Sequence, residues 1–401
     1  MLTLFQVSGD LLSNIIWFIF LMIFFYFYPR IMVFQTLSQL EGSARKIEDW
    51  TASAKNIVTK KISRNPSKEV KEKINNFLEF FAIEPVNLDP YGIIRKIEHI
   101  SDLSEKRFKY FVKDVAPRLN KEEQDNLMMA LSATVSLNQV AKMVRHVIET
   151  VRKTNNMQLA MLLQMQLAMI EKISKSLLSG AESMANGWPI GDGTGALVAA
   201  QIIGNNRAKK IEEDVLLVKK RIKGRNVLIM KSQGPGGTVG KLGKAVEKIM
   251  KREKVSKIIT VDAAAKLEGE KTGSIAEGVG VAIGGIGVDR AYIEDLAVKH
   301  NIPLDTVVIK MSQEQALEPM NPKVLAAVPK VVKILENNLA KSRGKVLLVG
   351  VGNTCGVGNT QKDAAKSEKK IMEVARIMKE RKKREKKGFM KSLFGEKEEE
   401  D

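Results

Sequence analysis

Two aspartates stand where their surroundings can do chemistry. Asp192 sits among glycines in GWPIGDGTGALVAAQIIG, Gly187 to Gly204, just before an apolar helical pattern, and Asp262 closes the apolar run of KIITVDAAAK. Glycine at Gly191, Gly193 and Gly195 costs conformational entropy that Ser or Thr at a helix start avoids, so something must approach that backbone closely. Asp262 falls at the carboxyl end of an expected strand, where open α/β sheets place ligands and catalytic groups. Two carboxyls close together raise each other's proton affinity, so one holds a proton while the other activates water. That pair would serve peptide hydrolysis. The structural alternative is that Asp192 caps the following helix and Asp262 satisfies backbone N–H groups at a strand end.

Glycine loops lie between and beyond these acids. NVLIMKSQGPGGTVGKLGKAVEKIM reads as strand, Pro-Gly loop and helix, so the backbone at Gly234, Gly236 and Gly237 is a candidate anion or substrate cradle. It is not a Walker A loop, because Leu242 follows Gly240-Lys241 where magnesium binding needs Ser or Thr. Gly284, Gly285 and Gly287 in GVGVAIGGIGVDR form a second candidate cradle, without the strand-turn-helix order of a dinucleotide fingerprint.

The elements that must position these residues change character along the chain. From about Phe34 to Met184 the periodicity is helical, broken at RNPS and IEPVNLDP, and the Met-rich run MQLAMLLQMQLAMIEKISKSLLSGAESM is bundle core or a self-association seam. After Trp188, NVLIM, KIITVDA, TVVIK and KVLLVGVG alternate with helices, the pattern of a parallel sheet with crossover helices. The strand expected to feed the Asp192 turn is missing, since SKSLLSGAESMAN before it is helical and polar.

Composition sets the compartment. Leu11 to Tyr28 carries no charge, is long enough to cross a bilayer and holds an aromatic cluster. It reads as a transmembrane anchor, because neither a basic region before it nor a small-residue cleavage site after it marks a signal peptide. Arg30, Arg45, Lys46 and Lys55 follow it and only Asp10 is charged before it, so the expectation is a single-pass cell-membrane protein, N-terminus outside and bulk cytoplasmic. The one cysteine, Cys355, excludes an intrachain disulfide and suits a reducing compartment. The net charge of +19 suits an anionic membrane surface; nucleic acid is not expected, since no basic-aromatic recognition motif accompanies the lysines. The tail from Lys366 reads as a charged helix that either lies on anionic lipid or is simply solvated.

The order of pieces from Gly191 to Pro319, about a third of the chain, resembles the germination protease and hydrogenase maturation endopeptidase fold group. GDGTGALVAA is similar to that group's acid in a glycine turn, and LIMKSQGPGGTVGKLGKAVEKI followed by IITVDAAAK is similar to its next loop, helix and strand. The resemblance carries its two acidic positions over to Asp192 and Asp262. KVLLVGVGNTCGVGN, Lys345 to Asn359, resembles the strand that opens the maturation endopeptidases, which implies a circular permutation bringing Asn353 and Thr354 near Asp192. The group's nickel site needs a histidine that none of His99, His146 and His300 supplies in the expected place, so no cofactor is expected, although a divalent metal between Asp192 and Asp262 stays open. His300 reads instead as a helix C-terminal residue. The whole arrangement is similar to an uncharacterised archaeal family of unknown function, the domain of unknown function 1512 type.

The expected layout is therefore an anchor over 1–33, a helical domain over 34–184, a phosphorylase/hydrolase-like α/β domain over 185–365 and a charged helical tail over 366–401. The α/β domain is expected to be three-layered with a mostly parallel sheet. Two functions follow: a peptidase-like hydrolase using Asp192 and Asp262, or a non-catalytic membrane scaffold binding a peptide, phosphate or nucleotide in the same cleft. A peptide or protein partner and self-association through the helical region are expected with either.

Overall fold

The computed structural model describes residues 3–82, 92–284 and 287–394. The IEPVNLDP break (Ile83 to Pro90) and Gly285 lie outside the described residues. The chain divides into two compact units, Met1–Ala52 with Ser136–Lys175, and Ser53–Val135 with Ser176–Asp401.

The first unit is built from parts of three long helices, α1 (Thr3–Ile62), α4 (Lys121–Thr154) and α5 (Met157–Ala185). α1 is long and apolar enough to cross a membrane, with a mean hydropathy of 1.9 in its most apolar stretch, and Ile15 to Phe20 and Met22 to Tyr28 are exposed. α4 is also long and apolar enough, but 56% of its apolar stretch is buried, as in a core helix. Arg145 fixes the register of this unit: its guanidinium bonds Glu41 at 2.7 and 2.8 Å and Glu48 at 2.8 and 2.9 Å. Two forks on one guanidinium hold α4 against α1 by charge-assisted bonds.

In the second unit, RNPS ends α1 as expected, and Ser67 Oγ accepts the Val70 N–H at 3.3 Å to open α2 (Lys68–Phe77). α3 (Ile93–Val115) follows, and Asn120 and Glu123 form a reciprocal cap at 3.0 Å each that starts α4. Beyond α5, a 3-10 turn (Gly191–Gly193) leads into α6 (Thr194–Ile203). Then come β1 (Lys209–Glu212), β2 (Val215–Ile222), β3 (Arg225–Ser232), α7 (Leu242–Met250), β4 (Lys257–Ala265), β5 (Ile275–Val279), α8 (Val288–His300) and β6 (Leu304–Met311). The short helices α9 (Gln313–Leu317) and α10 (Pro322–Leu325), then α11 (Val328–Lys341), β7 (Val346–Gly350) and α12 (Gln361–Phe394) complete the chain.

The seven strands form one sheet in the order β1-β2-β3-β7-β4-β6-β5. Its centre, β3-β7-β4-β6, is parallel, while β1-β2, β2-β3 and β6-β5 are antiparallel. The sheet is thus mixed, with three pairings of each kind among the described residues, where the sequence suggested a mostly parallel one. Loop length accounts for two of the antiparallel pairs: Glu213 and Asp214 alone join β1 to β2, and Lys223 and Gly224 alone join β2 to β3, two-residue turns that only antiparallel neighbours can use.

Alternation along the central strands feeds two cores. Val227 and Ile229 of β3 and Val346 and Leu348 of β7 pack with α6, α11 and α12 on one face. Leu228, Met230, Leu347 and Val349 pack with α7 and α8 on the other. Runs buried on both faces read as continuously apolar, which is why NVLIM and KVLLVGVG were legible as strands.

Candidate functional site

Asp192 and Asp262 line one cleft of about 320 Å³ at the carboxyl ends of the central strands. Backbone crowding brings them there. A Cβ on Gly195 would stand 2.1 Å from the Val261 carbonyl oxygen and 2.5 Å from that of Val351, so the start of α6 lies directly on the ends of β4 and β7. A Cβ on Gly191 would stand 2.0 Å from the Gln315 carbonyl oxygen, and one on Gly193 2.7 Å from that of Asn353. The glycines around Asp192 therefore admit the chain's own backbone. β7, from the far end of the sequence, lies at the centre of the sheet beside β4, where Val351 N–H donates to the Val261 carbonyl at 2.9 Å.

Asp192 does not cap α6, whose N-cap Gly193 makes no side-chain bond. Its Oδ2 accepts the Asn353 N–H at 2.8 Å, and the residue lines the cleft. Asp262 is 4% exposed, and its carboxylate accepts the N–H of Ala263 at 2.7 Å and that of Gly284. Burial raises the proton affinity of both carboxyls above the ordinary range. For Asp262 the rise is large, because the nearby Asp192 charge adds to burial and outweighs its two N–H donors.

The cleft walls carry more acid than base. Glu98, Asp102 and Glu105 of α3 and Asp289 of α8 face Lys241 and Lys244 at the start of α7. Both lysines are paired, Lys241 with Asp102 at 3.1 Å and Lys244 with Glu98 at 2.6 Å. Asp289 Oδ1 accepts the Gly243 N–H at 2.6 Å and so caps α7. Beside the cleft lies a second hollow of about 240 Å³, sharing Glu105, Val239, Gly240 and Lys241 and lined also by Phe108, Met128 and Met129.

The other expected site residues separate into two groups. Gly284 and Gly287 line the cleft, and Gly287, with φ of 82°, turns the chain into α8. Gly234, Gly236 and Gly237 do not line it. The Gly234 N–H donates to Asn359 Oδ1 and the Gly237 N–H to Asn126 Oδ1, both at 2.8 Å, and a Cβ on Gly236 would stand 3.0 Å from the Asp125 carboxylate. With the Gly234 and Gly237 donors engaged and a carboxylate against Gly236, an anion cradle is a poor description of this loop. Thr354 is fully buried, its hydroxyl within reach of the Gln233, Gly236 and Thr238 carbonyls at 3.0, 2.7 and 3.1 Å. Asn353 Oδ1 accepts the Cys355 N–H at 2.8 Å. Thr354 thus fastens the Gly-Pro loop to the segment after β7, and Asn353 braces that segment and holds Asp192.

Sequence reasoning missed Lys231, which is fully buried at the end of β3. Its ammonium reaches the carbonyls of Ser232 at 2.7 Å and Gly358 at 3.1 Å and Asn359 Oδ1 at 3.1 Å, and burial pushes its proton affinity down to about 7. The signal was a lysine directly after the apolar run NVLIM. The α3 acids had no signal, because they come from a helix distant in sequence.

One acidic trio, Glu105, Glu213 and Asp214, has oxygens close enough together to hold a cation. Lys109 supplies that charge, its Nζ at 2.6, 2.8 and 3.5 Å from the three. None of the three histidines lines the Asp192 cleft. The carboxylate-histidine nickel set implied by the endopeptidase resemblance therefore does not fit these residues. His300 is exposed in the last turn of α8. Cys355 is buried, which raises its thiol's proton affinity far above the ordinary range and leaves it inert.

Together these features define a protein with a helical N-terminal region and a three-layer mixed α/β domain whose cleft holds an interacting carboxyl pair. Residues 14–187 match the family described as "Protein of unknown function (DUF1512) N-terminal domain", and residues 190–358 match "Domain of unknown function (DUF1512) C-terminal". The chain belongs to the DUF1512 family. No protein of curated function and no solved structure matches it.

Proposed function

We propose that the chain is a membrane-anchored, peptidase-like hydrolase in which Asp192 and Asp262 act as base and acid. The observation that supports this reading is their convergence in one cleft with unequal surroundings. Burial and the Asp192 charge raise the proton affinity of Asp262 well above the ordinary carboxylate range, so Asp262 is the member of the pair suited to hold a proton, while Asp192 lines the same cleft and accepts the Asn353 N–H. Asp192 takes a proton from water as its oxygen attacks the substrate carbonyl carbon. Asp262 gives its proton to the leaving nitrogen as the C–N bond breaks. Six carboxyls against two paired lysines on the lining disfavour phosphate or nucleotide and favour a neutral or basic peptide. The adjoining Phe and Met hollow suits an apolar side chain.

The exposed apolar stretch of α1 supports the anchor, with the remainder of the chain on the cytoplasmic side. The central position of β7 supports a circularly permuted relative of the maturation endopeptidases.

A second reading, peptide binding without turnover, is favoured by the backbone donors that both carboxylates already hold. The deciding experiment is a peptide-hydrolysis screen of the full chain in nanodiscs, with and without divalent metals, beside Asp192→Asn and Asp262→Asn. Hydrolysis by the wild type that disappears in either folded variant supports the pair. Hydrolysis unchanged in both variants removes it, and a wild type that binds peptides without cleaving any leaves the binding reading. Activity that requires added metal would place a divalent ion between Asp192 and Asp262.

A further inference from the structure

We infer that the closed end of the α4–α5 hairpin is a membrane-docking site, seated in the anionic headgroup layer of the bilayer that α1 crosses. This rests on the anchor reading above and adds a second contact to it. α1 continues from its apolar stretch into the first unit as one helix, and its burial begins at Val33, five residues beyond Tyr28. Side-chain pairs set the heights of its neighbours. Gln164 Nε2 reaches Gln39 Oε1 at 2.8 Å and Lys46 pairs with Glu171 at 3.8 Å, so α5 runs parallel to α1 with residue 164 level with 39. Arg152 reaches Glu41 at 3.1 Å, so α4 runs the opposite way.

Counting back from Gln164, the turn at Asn155 and Asn156 is level with about Ile31. At about 1.5 Å per residue, that places it within about 5 Å of the end of the apolar stretch. A bilayer's polar layer is about 5–8 Å deep on each side, so the hairpin end cannot avoid it. The side chains there fit that layer. Lys153 is exposed and cationic, Arg152 beside it is exposed and paired with Glu41 and Glu149, and Phe34 and Leu162 are exposed at 74% and 56% nearby. Helical side chains lean toward the helix N-terminus, so Phe34 of α1 and Leu162 of α5 lean toward the membrane side, while Lys153, in the last turn of antiparallel α4, stands next to the turn itself. Cations at the headgroups with apolar side chains behind are the chemistry of an interfacial contact.

The test uses the full chain in vesicles of zwitterionic and anionic phospholipid, with an environment-sensitive fluorophore on one introduced cysteine, the buried Cys355 being unreactive. Phe20→Cys reports the anchor, Gln158→Cys the hairpin end, and the exposed Asp49→Cys the far end of α1 in the same unit. Headgroup spin labels are expected to quench position 158 several-fold more than position 49, mid-chain spin labels to quench position 20, and Lys153→Glu to weaken quenching at 158. Quenching at 20 with none at 158 leaves the anchor standing and overturns the docking site. No quenching at 20 overturns the anchor and the docking site with it. A signal at 158 that follows protein density and ignores the lipid label assigns this surface to a second copy of the chain and also overturns the proposal.

Discussion

Asp192 and Asn353 are 161 residues apart, yet the carboxylate of one accepts the backbone N–H of the other at 2.8 Å. This bond joins the turn before the first sheet-facing helix to the loop after the last strand. It holds the Asp192 carboxyl at the cleft that Asp262 also lines, and the same loop, through Thr354, holds the Gly-Pro turn after β3. The chemistry of the cleft therefore depends on the seating of β7 between β3 and β4.

That seating makes Gly195 intolerant of a side chain. Gly195→Ala puts a methyl against the Val261 and Val351 carbonyls, and chemical denaturation is expected to show a loss of about 1–3 kcal/mol. Gly42→Ala is the control: nothing lies within 4 Å of the added methyl inside α1, so a gain of about 0.5–1 kcal/mol is expected.

The acid pair stores a pH-dependent cost. Folding raises the proton affinity of Asp262, so from the ordinary carboxylate range up to that raised value the folded chain binds more protons and stability falls as pH rises. Asp262→Asn removes the cost while keeping an acceptor for the Ala263 and Gly284 N–H groups. Thermal unfolding is expected to show a higher midpoint than wild type at neutral pH and a shallower decline above the acid range. In Asp192→Asn, carboxyl-resolved NMR is expected to show Asp262 titrating lower than in wild type.

Lys231 has the opposite slope. The folded chain releases its proton near pH 7 and the unfolded chain keeps it to the ordinary lysine range, so between these limits the unfolded state binds more protons and stability rises with pH. Lys231→Met is expected to improve stability relative to wild type more at pH 6 than at pH 9. Denaturant midpoints at the two values check the sign.

Lys109 takes a cation's place among Glu105, Glu213 and Asp214, and with Lys241 it holds Glu213 down to about 2. Lys109→Met is expected to cost about 1.5–3 kcal/mol at neutral pH, the range for a hydrogen-bonded charge. Millimolar manganese or calcium is expected to restore part of the loss in this variant and to leave wild type unchanged, as read by unfolding with and without the ion.

Local pattern was enough for much of this molecule. The apolar stretch of α1, the break at RNPS, the four central strands and the two informative aspartates are written in nearest-neighbour terms: length, period, proline and the abrupt end of an apolar run. Burial on both faces makes a central strand conspicuous, and a charged side chain at its end equally so. β1, β2 and β5 were not legible, because β1 and β2 mix Lys with apolar residues on partly exposed strands and β5, IAEGV, is short, exposed and broken by Glu and Gly. Only the tertiary structure decided what the glycines around Asp192 admit, that β7 fills the centre of the sheet, that the Gly234 and Gly237 donors are taken by Asn359 and Asn126, and that α3 lines the cleft with acid. Each of these is a contact between segments far apart in the chain. Such contacts are selected by closure of the whole core and leave no local period to read.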